Sequence, residues 1–156
     1  MERRGRDPEV AREGPLKACV IDSSVAVKWF CEEAGTAAAL VLRDEACAGR
    51  RRLAAPDLLF YEIGNALRYN ARLDAEDVKL ALASLLDLGI DFRPPGVRLL
   101  SRAVDLAFRF GMTVYDGCFV ALAGDMGAPL ITADEKLVNQ KSAGHPRVVR
   151  LSDAPP

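Results

Sequence analysis

Short apolar runs alternate with stretches of helical periodicity along most of this chain. The runs are rich in β-forming residues and predict strands buried on both faces, at residues 17–22, 53–56, 90–93, 129–134 and 147–151. Between them, apolar residues three and four positions apart predict helices at 25–31, 35–46, 58–72, 75–88, 97–110 and 115–126. Strands that alternate with helices predict an α/β fold with a central, mainly parallel sheet and helices on both faces.

Small polar residues and a glycine mark the predicted ends of the helices. Small polar side chains before a helix can accept hydrogen bonds from its free N–H groups, and glycine commonly ends a helix. The predicted caps are Ser23 or Ser24 for 25–31, Asp57 for 58–72, Asp74 with Asp77 for 75–88, Thr113 for 115–126, and Gly127 as the stop after 126.

A length of 156 residues suits one domain. Residues 1–15 mix arginines with acids and lack hydrophobic periodicity, so they are expected to form a flexible leader before a domain spanning 16–152. We find no internal repeat.

Composition and charge exclude some classes of protein. Half of the residues are hydrophobic and 28% are charged, as in globular proteins, and the net charge of −1 gives no bulk attraction to nucleic acid. The four cysteines form no C-x-x-C pair and the chain has one histidine, which argues against a zinc site and favours structural thiols. Without an apolar signal or a membrane-length stretch, a soluble cytoplasmic protein is expected.

Acidic residues follow two of the predicted central strands. Asp22 ends the first apolar run and Asp134 ends the run at 129–134. The carboxyl ends of parallel strands meet at one rim of the sheet, where α/β proteins place their sites. The two carboxylates are therefore expected to lie close together, although either alone could be a helix cap or a solvated loop residue.

Glu62 lies within an otherwise apolar helical stretch. Asn65, Tyr69 and Arg72 follow it at offsets of 3, 7 and 10, which would place all four on one polar helix face. This face could hold an acid of the site with neighbouring groups for RNA, or could simply be solvent-exposed.

Asp116 opens the predicted helix at 115–126 and is followed by Gly117. An acid there could merely complement the helix dipole. Glycine, however, costs a helix roughly 1 kcal/mol relative to alanine, which makes more sense where something must approach the backbone closely.

Converging carboxylates repel one another unless a cation neutralises them. Oxygen ligands without Cys or His select Mg²⁺ or Mn²⁺, which can bridge to phosphate oxygens and promote in-line displacement. The cluster therefore predicts metal-dependent phosphodiester hydrolysis.

Four ordered motifs resemble the PIN-domain ribonucleases, and within them the VapC-type toxins of prokaryotic toxin–antitoxin pairs. The resemblance covers about residues 17–151. Its motifs are VIDSSVAVKWF at 20–30, Pro56 with YEIGNAL at 61–67, Tyr115-Asp116 followed by ALA at 121–123, and LITADEKL at 130–137.

This resemblance implies a three-layer α/β/α sandwich with a five-stranded sheet and cleavage of single-stranded RNA regions using one or two Mg²⁺ or Mn²⁺ ions. The same resemblance implies a homodimer and a cognate antitoxin whose C-terminal segment enters the acidic groove. It marks as catalytic and metal-binding Asp22, Glu62, Asp116 and Asp134, with Ser24, Asn65 and Thr132 in supporting positions.

Two departures from the family pattern bear on the site. Lys136 stands where some relatives carry a further acid, which leaves a second metal open, and residues 117–119 replace the commoner small residue, variable position and Tyr.

Several basic and aromatic residues could contact RNA. Arg68 and Arg72 are the better candidates because they share the predicted helix of Glu62, whereas a solvated turn is favoured for 50–52. Core packing is favoured for Trp29, and a surface position for His145.

Two other functions remain open on the sequence. A PIN-fold module without catalysis could bind RNA or an antitoxin. A haloacid-dehalogenase-type phosphatase also places an Asp after its first strand, but it expects a second Asp two residues later, where this chain has Ser24. A response-regulator receiver would need paired acids near the first strand, which are missing.

Overall fold

A computed structural model describes residues 16–140 and 147–155. The expected leader at 1–15 and His145 lie outside these residues. Five parallel strands form the sheet in the order β3-β2-β1-β4-β5, which confirms the predicted α/β class. The strands are β1 (Lys17–Ile21), β2 (Arg51–Pro56), β3 (Asp91–Arg93), β4 (Leu130–Thr132) and β5 (Val148–Arg150).

Seven α-helices occur in the described part of the chain, and they complete a three-layer arrangement with the sheet in the middle. They are α1 (Ser23–Ala26), α2 (Thr36–Cys47), α3 (Leu58–Arg68), α4 (Ala75–Asp87), α5 (Val97–Phe110), α6 (Val114–Met126) and α7 (Glu135–Asn139). Short 3₁₀ turns follow at Val27–Trp29 and Leu151–Asp153.

The hydrophobic core surrounds β1 and β4, the strands that carry the acids at their ends. Ile21, Leu130 and Ile131 are fully buried, and α6 packs against both strands with a buried Phe119. Trp29 also belongs to this core, and its indole N–H donates to the Ala39 carbonyl at 2.8 Å. The prediction that Trp29 packs in the core is confirmed.

Helix α3 is shorter than the predicted helix at 58–72. It ends at Arg68, because Asn70 begins a turn in which its side-chain oxygen accepts a hydrogen bond from the Arg72 backbone N–H at 3.0 Å. The Asn70 amide also contacts the Cys31 sulfur at 3.1 Å. Arg72 therefore does not share the helix of Glu62, and that part of the prediction is wrong.

The predicted caps have mixed outcomes. The Thr113 side chain accepts from the Asp116 N–H, Asp74 and Asp77 form a reciprocal capping box, and Gly127 ends α6 with φ of 60°. Asp57 makes no side-chain cap. Ser23 and Ser24 lie inside α1, after Asp22 in the cap position.

The arginines at 51–52 belong to β2 and not to a solvated turn. Arg51 is buried and bonds Glu45 at 2.5 Å and the Pro155 carbonyl at 2.7 Å, while Arg52 pairs with Asp91. Because the Arg51 guanidinium is buried and bonded within the fold, it is not a free cation for RNA. The other arginine of the run, Arg50, is exposed.

All four cysteines are free thiols, as predicted. Among the described residues no single helix has the length and apolar character to span a bilayer. Helices α5 and α6 have that length and apolar character only when they are taken together, and the pair is bent by 114°.

Candidate functional site: an acidic cluster at the rim of the sheet

Asp22 is fixed at the carboxyl end of β1 by two hydroxyl groups. The pairing of Ile21 with Ile131 sets the ends of β1 and β4 side by side, so that Thr132 lies beside Asp22. Ser24 Oγ donates to Asp22 Oδ1 at 2.5 Å and Thr132 Oγ1 donates to Oδ2 at 2.5 Å. With only 6% of its surface exposed, Asp22 depends on these bonds to orient its carboxylate.

The same hydroxyls also organise the turn after β4. Ser24 Oγ accepts from the Ala133 N–H at 2.8 Å, and Thr132 Oγ1 accepts from the Asp134 N–H at 3.0 Å. Asp134 caps α7 by accepting from the Lys136 N–H at 2.9 Å. Ser24 and Thr132 therefore lie beside the acids, where the resemblance placed them.

Glu62 reaches the cluster from α3. The Ser23 side chain lies near its carboxylate and lowers its pKa, while the Glu62 Oε2 atom is buried without any hydrogen-bond partner. A buried, unpartnered carboxylate oxygen carries a desolvation cost that a cation or a substrate proton could relieve. Ser23 is predicted from the sequence only as a helix cap, and its position directly after Asp22 is the one signal that it lies beside the acids.

Asp116 enters from the first turn of α6. Its backbone N–H is held by Thr113 at 3.0 Å and its side chain is half-buried. The Asp116 charge acts on Glu62, and the Asp134 charge acts on Asp22. Four carboxylates from β1, α3, α6 and the end of β4 are therefore coupled within one region.

Burial and mutual repulsion raise the pKa of two of these acids. Burial raises the pKa of Asp22 to about 6, with Asp134 adding a smaller increase against the hydrogen bonds from Ser24 and Thr132. Burial likewise raises the pKa of Glu62 to about 7, and the charges of Asp22 and Asp116 add to it. Shifts of this kind cluster at functional sites.

The other candidate residues lie outside this hydrogen-bond network. Asn65 is exposed on α3, one turn from Glu62. The Arg68 guanidinium lies 5.1 Å from the centroid of the Tyr69 ring, and Arg72 is exposed beyond the helix.

Gly117 is explained by the packing of α5 on α6. A Cβ at this position would lie 2.5 Å from the Ala103 carbonyl oxygen, closer than real Cβ contacts. The predicted close approach to the backbone is confirmed, but the approaching group is a neighbouring helix and not a ligand.

A comparison with known families identifies the family of this chain. Residues 19–142 match the model of the PIN domain. The chain belongs to the PIN-domain family. This membership favours the ribonuclease resemblance over the phosphatase alternative.

Relatives place this PIN domain close to the VapC proteins. It is 33% identical to "Ribonuclease VapC1" of Mycobacterium tuberculosis over 128 residues, which is 78% of this chain and 90% of the relative. Its fold is also that of Mycobacterium tuberculosis VapC20, described as a sarcin-ricin loop cleaving toxin, with a TM-score of 0.63, 16% identity and coverage of 81% and 95%. A toxin–antitoxin complex from Klebsiella pneumoniae aligns with a TM-score of 0.62 at 18% identity, over 85% of this chain and 97% of that one.

The PIN-domain acids have the chemistry of a divalent-cation site without a preformed cage. Across residues 16–140 and 147–155, no group of three or more His, Cys, Asp and Glu side chains is arranged to hold a metal. The donor set nevertheless fits Mg²⁺ or Mn²⁺, because all four groups supply oxygens and Glu62 Oε2 has no partner. A cation would also favour the charged forms of Asp22 and Glu62, whose pKa values are raised mainly by burial and further by neighbouring carboxylates.

Proposed function

We propose that this PIN-domain protein is a Mg²⁺- or Mn²⁺-dependent endoribonuclease and the toxin of a VapBC-type toxin–antitoxin pair. The observation that carries the proposal is the convergence of Asp22, Glu62, Asp116 and Asp134 at one rim, with Glu62 Oε2 buried and unpartnered. A structural role would not require four interacting carboxylates at one place, two of which, Asp22 and Glu62, have raised pKa values.

In this proposal the four acids hold one or two cations. When bound, a divalent cation neutralises the carboxylates and withdraws charge from the phosphate oxygens of the scissile bond. Ser24 and Thr132 keep both oxygens of Asp22 in fixed directions. Mutation of residues that hydrogen-bond to metal ligands in this way typically lowers metal affinity or activity by about 10- to 100-fold.

The substrate proposed for the site is single-stranded RNA. Asn65 and Arg68 lie exposed on α3 beyond Glu62, and Arg72 follows in the next turn. These groups supply cations and an amide on the segment that follows Glu62, which suits contact with RNA phosphates and base edges.

The partners follow from the same site and from its relatives. An acidic groove attracts a basic peptide segment, and a solved structure with this fold is a toxin–antitoxin complex. We therefore include a cognate antitoxin whose C-terminal segment occupies the groove. Such a pair would act in the cytoplasm, where its RNA lies.

A homodimer is part of the proposal because α5 carries an exposed apolar stripe. Val97, Leu100, Val104 and Phe108 recur at spacings of 3 and 4, and Phe108 is 88% exposed. A continuous helical stripe of this kind marks a surface covered by another copy or partner. Phe108→Asp should lower the mass measured by analytical ultracentrifugation from dimer to monomer; an unchanged mass would contradict this interface.

The nuclease is tested by cleavage of a labelled single-stranded RNA with Mg²⁺, with Mn²⁺ and with EDTA. The variants are Asp116→Asn and, as a matched control, Asp87→Asn, which changes an exposed acid at the end of α4. We expect metal-dependent cleavage by the wild type and by the control variant, and a loss of at least about 100-fold in Asp116→Asn, as for removal of a group that stabilises the transition state.

Retained cleavage in Asp116→Asn would remove that residue from the proposed site. If no protein cleaves, Mn²⁺ titration by calorimetry separates the remaining explanations. Binding that Asp116→Asn abolishes indicates a nuclease with a narrow substrate range, whereas no binding indicates a PIN-fold module without catalysis.

A further inference from the structure

A mostly apolar cavity of about 280 Å³ opens beside the acidic cluster. Its walls come from the first turn of α3, the first half of α5 and the first turns of α6. We call it the tyrosine pocket, because two tyrosines line it. Its main lining residues are Tyr61, Leu99, Leu100, Val114, Tyr115 and Cys118.

The tyrosine pocket adjoins the Glu62 and Asp116 side of the cluster. Tyr61 immediately precedes Glu62 on α3, and Tyr115 immediately precedes Asp116 on α6. Cys118, which also lines the pocket, follows Asp116 by two residues on α6. When one group of a ligand binds at the acids, the neighbouring group of the same ligand can therefore enter the pocket.

The chemistry of the walls suits a flat aromatic ring. Tyr61 is 76% exposed and Tyr115 is 63% exposed, so both phenol rings are available to a ligand. The volume lies near the lower end of the roughly 300–1,000 Å³ range of small-molecule pockets, which suits one ring system better than a peptide helix. Unpaired RNA bases are recognised by splaying them onto aromatic and apolar side chains.

The lining of the pocket also includes two charged residues, Arg93 and Asp57. Asp91 holds the Arg93 guanidinium through an ion pair at 2.8 Å. The pocket therefore combines apolar walls with a positioned guanidinium and a carboxylate, which matches a base that carries polar edges.

We propose that the tyrosine pocket holds one unpaired base of the RNA substrate, adjacent to the phosphate at the acidic cluster, and sets the nucleotide preference there. This inference rests on the proposed ribonuclease function. Tyr61 and Tyr115 act as specificity-determining residues by stacking, while the four acids act on the phosphate.

The main test compares cut sites in a single-stranded RNA pool of randomised sequence, digested in Mn²⁺ and sequenced. Val114→Trp fills the pocket from its rim, and Tyr61→Ala removes a stacking surface from an exposed position, where it should not impair folding. Val41→Trp is the matched control because it adds the same side chain at an exposed position of α2 outside the pocket.

We expect the wild type and Val41→Trp to prefer one base or base class at a fixed position next to the cut, by at least about fivefold. That ratio corresponds to about 1 kcal/mol of discrimination. Val114→Trp and Tyr61→Ala should lose the preference at that position while still cutting RNA. Unchanged preference in both pocket variants would overturn the proposal and leave the nuclease intact.

A binding measurement keeps the test decisive if the wild type does not cut. Short RNAs with the fluorescent base 2-aminopurine are titrated with Asp116→Asn, with and without Val114→Trp. The proposal expects quenching of the fluorescence and a loss of at least about fivefold in affinity with Val114→Trp. Absent quenching, or equal affinities, would overturn it. A change in sedimenting mass caused by Val114→Trp would also overturn it, by assigning the pocket to a contact between copies of the chain.

Discussion

Individual hydroxyl groups decide how the acids of this site are presented. Thr132 illustrates the point because its fully buried Oγ1 donates to Asp22 and accepts from the Asp134 N–H. One hydroxyl thus links two proposed metal ligands from different strand ends. Ser24 makes the equivalent connection from α1, since it bonds both Asp22 and the Ala133 N–H.

Thr132→Val should lower cleavage by roughly 10- to 100-fold, because the side chain keeps its shape but no longer orients Asp22. The loss of a buried hydrogen bond should also cost about 1–3 kcal/mol of stability. Steady-state cleavage and denaturant unfolding measure the two effects. Because Asp22 Oδ2 loses a donor that lowers its pKa, the acid limb of the pH–rate profile should move to higher pH.

Two variants show whether Thr132 positions Asp22 or only stabilises the fold. Thr132→Ser restores the hydroxyl and should recover most of the activity. Thr36→Val removes a hydroxyl at the start of α2, where it accepts from the Glu33 N–H at 3.0 Å, and should leave cleavage unchanged. Equal activity of Thr132→Val and wild type would contradict the positioning role.

At the scale of elements, the packing of α5 on α6 sets the position of Asp116. Ala103 and Gly117 allow the two helix backbones to approach, and an ion pair between Arg102 and Asp125 joins the same helices. Asp116 immediately precedes Gly117. Its position above the sheet therefore depends on the close contact between Gly117 and the Ala103 backbone. The proposed site therefore relies on helix packing as well as on strand ends.

Gly117→Ala should destabilise the fold by about 1–3 kcal/mol, because its Cβ would overlap the Ala103 carbonyl at 2.5 Å. Gly64→Ala is the matched control: its Cβ would lie 3.4 Å from a flexible Leu82 methyl group, so the gain in helix propensity should make it neutral or stabilising. Urea unfolding of both variants measures the difference. Equal stabilities would show that α5 and α6 separate at little cost.

The sequence allowed prediction of the parts of the site that depend on local pattern. Asp22 and Asp134 end apolar runs, and a parallel sheet brings such ends together without further information. Glu62 and Asp116 were also predicted, since each interrupts or opens an apolar helical stretch. The observed network places all four in electrostatic contact, although their roles as metal ligands stay predictions.

What could not be predicted depends on contacts between distant segments. Asn70 begins the turn that follows α3, and its side chain contacts Cys31, 39 residues away, so that Arg72 lies outside the helix of Glu62. Arg51 is buried against Glu45 and Pro155, which a local run of arginines does not reveal. Ser23 and Ser24 have the composition of caps, but neighbouring carboxylates compete for their hydroxyls.

At the scale of the whole molecule, the acidic cluster is a cost to the metal-free fold. Asp22 and Glu62 have folded-state pKa values of about 6 and about 7, above their ordinary values of 3.8 and 4.5. The folded protein thus binds their protons more tightly than the unfolded chain does. The stability that these two groups contribute is full below about pH 4 and is lost as the pH rises through about 7.

The stability of the metal-free protein should therefore respond to Glu62→Gln in a pH-dependent way. In EDTA at pH 8, we expect the variant to be about 1–2 kcal/mol more stable than the wild type, after allowing for solvent screening of a half-buried group. Near pH 5 the difference should largely vanish, because Glu62 is then protonated in the folded state. Denaturant unfolding at both pH values measures this, with Asp87→Asn as a control that should show no such dependence.

Added Mn²⁺ should reverse the order at pH 8. A cation that binds only the folded state stabilises it by about 2.7 kcal/mol at 100 times its dissociation constant, and Glu62→Gln removes one of the proposed ligands. The wild type should therefore gain more stability from Mn²⁺ than the variant gains. If Mn²⁺ stabilises both proteins equally, Glu62 is not a ligand; if the variant shows no advantage in EDTA, the burial of Glu62 does not strain the metal-free fold.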